Sequence, residues 1–310
     1  MGGFGHPLAT PDSSRLAMLT CRIEYSFYVT VITAAVKSTT PTLTHVIPSG
    51  GGGSVSAVTS LGDDVFVARD NSQQVEVYDA VTLTLQRRLT VPGRCQWLTG
   101  LAACPINNCL YASDPLNNRL HRVELSGSNA VKKWSVARGP AGLSVSSEHN
   151  LIVTCREADR LQEYTTHGSL VREICLQAGV LRSWPRHAIQ LSTGDYVVSQ
   201  YTSPGVVSVV GVDGQVVRSY GQSQTSDVGQ MKYAAGLAVT KNDDILVADE
   251  DNNRILSINS SLGSIQKLTL PVQGGIHEPR GLCLVESRGR LYVGEDGGAH
   301  RVLVFDVVRL

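Results

Sequence analysis

A chain of 310 residues, 42% hydrophobic and with 30 glycines, has material for one large domain or two ordinary ones. Lys plus Arg and Asp plus Glu both number 27, so the formal net charge is zero and no global field draws the protein to nucleic acid or an anionic membrane. Aromatic residues make up 5%, too few for a stacking platform for single-stranded bases.

Residues 1–25 are rich in Gly, Pro and Ser and have no period. Residues 26–36 (SFYVTVITAAV) are apolar but well short of the roughly 20 residues that cross a bilayer. Arg15 and Arg22 lie far from the start, and Ala34-Ala35-Val36 is an indifferent cleavage sequence, so the features of an export signal are incomplete. Gly2 is followed by His6 where myristoylation needs Ser or Thr. Residues 1–40 therefore read as a poorly defined N-terminal extension, loose or carrying an additional strand, with an export signal as the alternative. A cytoplasmic location and no membrane association are expected.

From residue 41 onward the chain repeats. The clearest unit is 236–270, in which four short apolar runs are separated by polar turns, the pattern of one antiparallel sheet. First-strand anchors recur at Ala57, Gly100, Gly142, Ala188, Gly236 and Gly281. Second strands start at Val65, Leu110, Leu151, Tyr196, Ile245 and Leu291, so the units lie roughly 41 to 49 residues apart, the period of a four-stranded propeller blade. Small residues at the anchors let backbones approach at a crowded axis. The sixth unit ends after its third strand, and residues 42–47 supply the missing fourth. The spacing thus predicts an all-β protein, a six-bladed β-propeller over 41–310 closed by an N-terminal strand, and, because closure leaves only short edges, a monomer.

The turn after the second strand carries a motif. It reads Asp114-x-x-Asn117-Asn118-Arg119 in the second unit and Asp249-x-x-Asn252-Asn253-Arg254 in the fifth, reduced to Asp159-Arg160 in the third and His300-Arg301 in the sixth. Asp and Asn build such turns by accepting backbone N–H bonds and tolerating left-handed backbone, so Asp114, Asn118, Arg119, Asp249, Asn253 and Arg254 are expected to be structural. Together with the Pro-x-Gly-Leu lead into the first strand and the Val-Ala-Asp strand end, this turn resembles the NHL-repeat propellers over about residues 42–310. The resemblance implies the fold; the fold hosts enzymes and binding modules alike.

Several functions are consistent with that resemblance. The first is a protein-interaction scaffold, since such propellers often form the C-terminal part of tripartite-motif ubiquitin ligases. This chain has no Cys/His array with zinc-finger spacing and is not itself predicted to be a ligase. Others bind RNA on a basic face, which zero net charge disfavours here. The second is a metal-dependent lyase or lactonase-type hydrolase with its site at the axial channel. Only His187 and His277 stand where they could face that channel, and two His are an incomplete zinc site, with Glu278 or Glu295 as a third candidate. No nucleophile elbow, phosphate loop or His-Glu-x-x-His helix occurs, and no cofactor is expected. A secreted matrix protein is the third reading.

Strand alternation places the loops leading into each blade and the second-to-third-strand turns on one face, around one mouth of the channel. The expected binding residues are Arg94, Arg186, His187, Arg280 and Glu295, with Asp70, Asp249, Glu250, Asp251 and Asp296 on the same rim. Reversing the charge of both Arg186 and Arg280 is expected to abolish partner binding with little change in melting. Seven cysteines at irregular spacing are no disulfide framework, so free thiols are expected, with a Cys104–Cys109 bridge as the alternative if the protein is exported.

Overall fold

The computed structural model describes residues 40–93, 97–127, 129–176, 184–221 and 229–307. Residues 1–39 of the predicted N-terminal extension, Arg94 and Cys95 lie outside them, Cys21 with the extension. Six four-stranded antiparallel sheets follow one another along the chain. Blade 1 covers 55–90, blade 2 101–135, blade 3 140–175, blade 4 185–220, blade 5 234–267, and blade 6 279–306 plus Thr42–Ile47. The first strands of neighbouring blades touch all the way round, including blade 6 against blade 1. This is the predicted six-bladed β-propeller. Helical geometry among the described residues is confined to three single 3-10 turns, and no helix among them is long and apolar enough to cross a membrane.

The core explains the sequence pattern. Six hydrophobic clusters among the described residues each lie between two neighbouring blades. A blade in the ring is covered on both faces, so its second and third strands are buried along nearly their whole length, whichever side a residue points to. Val206–Val210 is wholly buried, and Phe66 and Leu110 meet in the layer between blades 1 and 2. Each such side chain contributes about 1.5–3 kcal/mol when fully buried.

At the axis the strand register corrects one anchor. Ala57 stands opposite Ala68, Gly281 opposite Gly294, and in blade 4 it is His187 that stands opposite Ser199. The blade 4 anchor is therefore His187, not Ala188, and Pro185-Arg186-His187 occupies the place of Pro279-Arg280-Gly281. The neighbouring small residues are required. A Cβ on Gly100 would lie 2.2 Å from Ala141 O, and one on Gly236 2.3 Å from Arg280 O. On Gly142 it would lie 2.7 Å from His187 Cδ2, so the imidazole occupies space that Gly142 leaves open.

Thr42–Ile47 pairs antiparallel with Val302–Asp306, Thr42 opposite Asp306 and Ile47 opposite Val302. A buried cation clasps this seam. Arg69, on blade 1, donates to Glu76 Oε2 at 2.8 Å, to His300 O at 2.7 Å and to Pro48 O at 3.1 Å. It thereby ties blade 1, blade 6 and the closing strand together. Cys104 and Cys109 face each other across the blade 2 hairpin as buried free thiols.

Candidate functional site at the channel mouth

Two sets of equivalent positions surround the mouth. Just before the axial anchor stand Ser56, Thr99, Ala141, Arg186, Ala235 and Arg280, one per blade. Four blades have small residues there, and blades 4 and 6 have arginine. Just after the second strand stand Asp70, Pro115, Arg156, Tyr201, Glu250 and Asp296. Antiparallel pairing brings both sets to the same end of the ring, as predicted from strand alternation.

Arg280 is the hub of the acidic half. Its guanidinium lies 2.6 Å from Asp296 Oδ2, 3.4 Å from Asp70 Oδ2 and 3.5 Å from Glu250 Oε1. Burial pulls its pKa down, but the carboxylates, Glu250 and Asp296 foremost, outweigh that and hold it above the ordinary arginine value. Burial raises the pKa of Glu250 and of Asp70, each against the opposing charge of Arg280. Trp97 Nε1 donates to Asp70 Oδ1 at 2.6 Å, and Tyr201 Oη donates to Glu250 Oε1 at 2.8 Å. An Arg280→Glu substitution would set a fourth carboxylate among three. The expectation that charge reversal at Arg280 spares stability is therefore corrected by its buried, triply paired position.

The other half is cationic and aromatic. Arg186 is 9% exposed, and its guanidinium sits 5.9 Å from the centre of the Tyr201 ring. Arg156 lies over two indoles, 5.2 Å from Trp184 and 6.0 Å from Trp97. Trp184 is half-exposed.

Below the arginines the channel narrows to a cavity of about 40 Å³ bordered by Thr99, Gly142, Arg186, His187 and Arg280. His187 also borders a wider apolar space of about 230 Å³ on the other side, lined by residues such as Val58, Val145, Ile189 and Leu284. Its ring bridges blades. Nε2 is 3.1 Å from Leu143 O, and Nδ1 accepts the Leu237 N–H at 3.0 Å, so the Nε2–H tautomer donates to the carbonyl. Burial lowers its pKa to about 4.

The predicted site residues therefore separate. Arg186 and Arg280 share the mouth. His187 forms the floor, with both ring nitrogens occupied by backbone groups, which leaves no lone pair for a metal. His277 is exposed on the loop leading into blade 6. No three His, Cys, Asp or Glu side chains among the described residues are grouped as metal ligands. Glu295 is fully buried, accepting from His277 N–H at 3.0 Å and Arg301 Nε at 2.7 Å, so it is closed to a partner. Asp249 does the same in blade 5, accepting from Lys232 N–H at 2.7 Å and Arg254 Nε at 2.6 Å. Asp114 meets His121 at 3.3 Å, while Arg119 is exposed. Arg156, Tyr201, Trp97 and Trp184 were not expected from the sequence. A signal existed: Arg156 and Tyr201 fall at the same repeat position as Asp70, Glu250 and Asp296.

Comparison with known proteins agrees with the architecture. The family model for the NHL repeat matches residues 231–256, which hold the first two strands of blade 5 and its 3-10 turn. No curated protein matches the sequence. Among solved structures, virginiamycin B lyase from Staphylococcus aureus is 11% identical, with 85% of this chain and 99% of that one covered and a TM-score of 0.61. The WD40 β-propeller domain of Doa1 is 14% identical over 86% of this chain and 97% of that one, with a TM-score of 0.60. A chain of a nidogen–laminin complex is 15% identical over 74% and 84%, with a TM-score of 0.57. At these identities the likeness is one of fold.

Proposed function

We propose that this chain, an NHL-repeat β-propeller, is a cytoplasmic, monomeric interaction scaffold that holds a protein or peptide partner over its loop-rich mouth. One observation carries the reading. The large polar and aromatic side chains gather at the rim, whereas the throat beneath them is only about 40 Å³, far below the 300–1,000 Å³ of an ordinary small-molecule pocket. A broad face of Arg, Trp and Tyr over a narrow throat suits a macromolecular surface, because Trp, Tyr and Arg are enriched among the residues that carry binding energy at interfaces. The zero net charge favours a mixed polar partner over a phosphate backbone.

The test is cross-linking mass spectrometry of the full chain with proteins that co-purify with it from the cytoplasmic fraction. Cross-links are expected on the loops leading into blades 4 to 6 and on the second-to-third-strand turns. The double variant Trp184→Ala, Tyr201→Ala should weaken the partner by more than about tenfold. Cross-links confined to the opposite face, with that variant binding normally, would refute the assignment.

A further inference from the structure

Among the described residues, Arg156 and Arg186 are the cations of the mouth without an ion-pair partner. The Arg186 side chain makes no hydrogen bond or ion pair among the described residues, although the residue is nine-tenths buried. Arg156 contacts the Trp97 and Trp184 rings, and its Nε is buried without a hydrogen-bond partner. A buried guanidinium without a partner is costly, and a side chain retained only for stability is normally paired. Burial first, and then the like charge of Arg280, draws the Arg186 pKa down to about 10, so it still carries its proton at neutral pH.

We propose that the blade 3 and blade 4 side of the mouth is a carboxylate subsite, with Arg186 as its principal ligand and Arg156 as its second cation. Its occupant is an acidic side chain or the C-terminal carboxylate of a partner peptide, and the proposal rests on the scaffold reading above. The charge layout selects this chemistry. Asp70, Glu250 and Asp296 all gather on Arg280, so the mouth is negative on one side and has two uncompensated cations on the other. Among the described residues three arginines face three carboxylates, so the mouth carries no overall excess of charge, and a single negative charge placed at Arg186 meets a local cation at the least cost in repulsion from the carboxylates. A dianion such as a phosphate monoester would add charge that the three carboxylates oppose. A guanidinium fork also matches the two oxygens of a carboxylate. Stacking on indole holds the Arg156 head in place without using its N–H donors. The rings of Trp97, Trp184 and Tyr201 then offer walls for apolar groups flanking the acid.

The experiment uses the full chain in two ways. Random peptides are selected against it by display. Those that bind are resynthesised with each acid changed to its amide, and with free or amidated C-termini. In parallel, the Arg186 Nε–H resonance, assigned with Arg186→Lys, is followed during titration with sodium acetate and with inorganic phosphate. Selected peptides should carry an acid whose neutralisation costs at least about tenfold in affinity. Loss on side-chain amidation identifies a Glu or Asp source, and loss on terminal amidation a C-terminal one. Acetate should shift the resonance saturably and more strongly than phosphate.

Arg186→Met should lose the peptide by at least about tenfold while its Tm rises by roughly 2–6 °C, since an unpaired buried charge is removed. A fall in Tm would make Arg186 structural and overturn the proposal. Binding at the mouth that is indifferent to acids would overturn the carboxylate subsite and leave the scaffold reading intact. A phosphate response exceeding that of acetate would assign the site to another anion class. No selected peptide together with no acetate response would also overturn it.

Discussion

His187 is one residue whose neighbours decide its chemistry. Five blades have Gly or Ala at its register position, and blade 4 has an imidazole that spans from Leu143 to Leu237. His187→Ala removes both bonds and leaves a void at the axis, at an expected cost of about 2–4 kcal/mol in denaturant unfolding. Its protonation gives a second, signed prediction. The folded pKa is about 4, and the unfolded chain binds a proton near 6.5. Between these values the unfolded state carries more protons, so this contribution is complete above about pH 6.5 and is lost as pH falls towards 4. The slope approaches about 1.4 kcal/mol per pH unit. Buried His121, its pKa also lowered mainly by burial, adds a loss of the same sign. The difference in stability between wild type and His187→Ala should therefore shrink from pH 7 to pH 4. A pH-independent difference would mean the imidazole is not held neutral.

At the scale of an element, the turn after the second strand works as a latch between blades. Asn118, Asp159, Asn253 and His300 all adopt left-handed backbone, with φ of 50°, 46°, 53° and 51°. Each precedes an arginine, and three of those arginines reach a carboxylate: Arg160 to Glu173, Arg254 to Asp249 and Arg301 to Glu295. The two asparagines do more. Asn118 Oδ1 accepts the Gly139 N–H at 2.9 Å, and Asn253 Oδ1 accepts the Glu278 N–H at 2.7 Å, each on the loop leading into the next blade. Asn253→Ala loses that bond and a side chain that tolerates the left-handed region better than alanine, at an expected cost of about 1–2 kcal/mol. Thermal melts should register it while affinity for peptide stays within about twofold. An Asn253→Ala protein with wild-type melting would refute the latch.

For the whole molecule the decisive feature is closure. Each blade buries one face on each neighbour, so opening the ring exposes two apolar faces and an unpaired strand edge. Thr42–Ile47 covers the edge of Val302–Asp306, and Arg69 holds both sides of the seam. Deleting residues 42–47 from the full chain should lower Tm by more than about 10 °C, broaden the transition and induce concentration-dependent self-association. Light scattering coupled to size exclusion would measure the last of these. A monomer with an unchanged melt would mean that blade 6 needs no outer strand.

The number of blades, their four-strand plan, the closing strand and the face on which the loops collect can all be read from the amino-acid order. These depend on local signals repeated at a fixed period: turn residues, small residues at the axis and apolar runs buried on both sides. Arg186 and Arg280 were also legible as charged residues of the loops leading into blades 4 and 6, but that they hold equivalent positions emerged only from the strand register. What remained for the tertiary structure was the partner of each side chain. Arg280 meets carboxylates from blades 1, 5 and 6, and His187 meets backbone from blades 3 and 5. Most of these pairings join residues from different blades, many of them dozens of positions apart, and all depend on angstrom-scale placement around the ring. Repeat spacing fixes which residues reach the mouth. Only the closed ring decides which are neutralised there and which, like Arg186, are left with charge to offer.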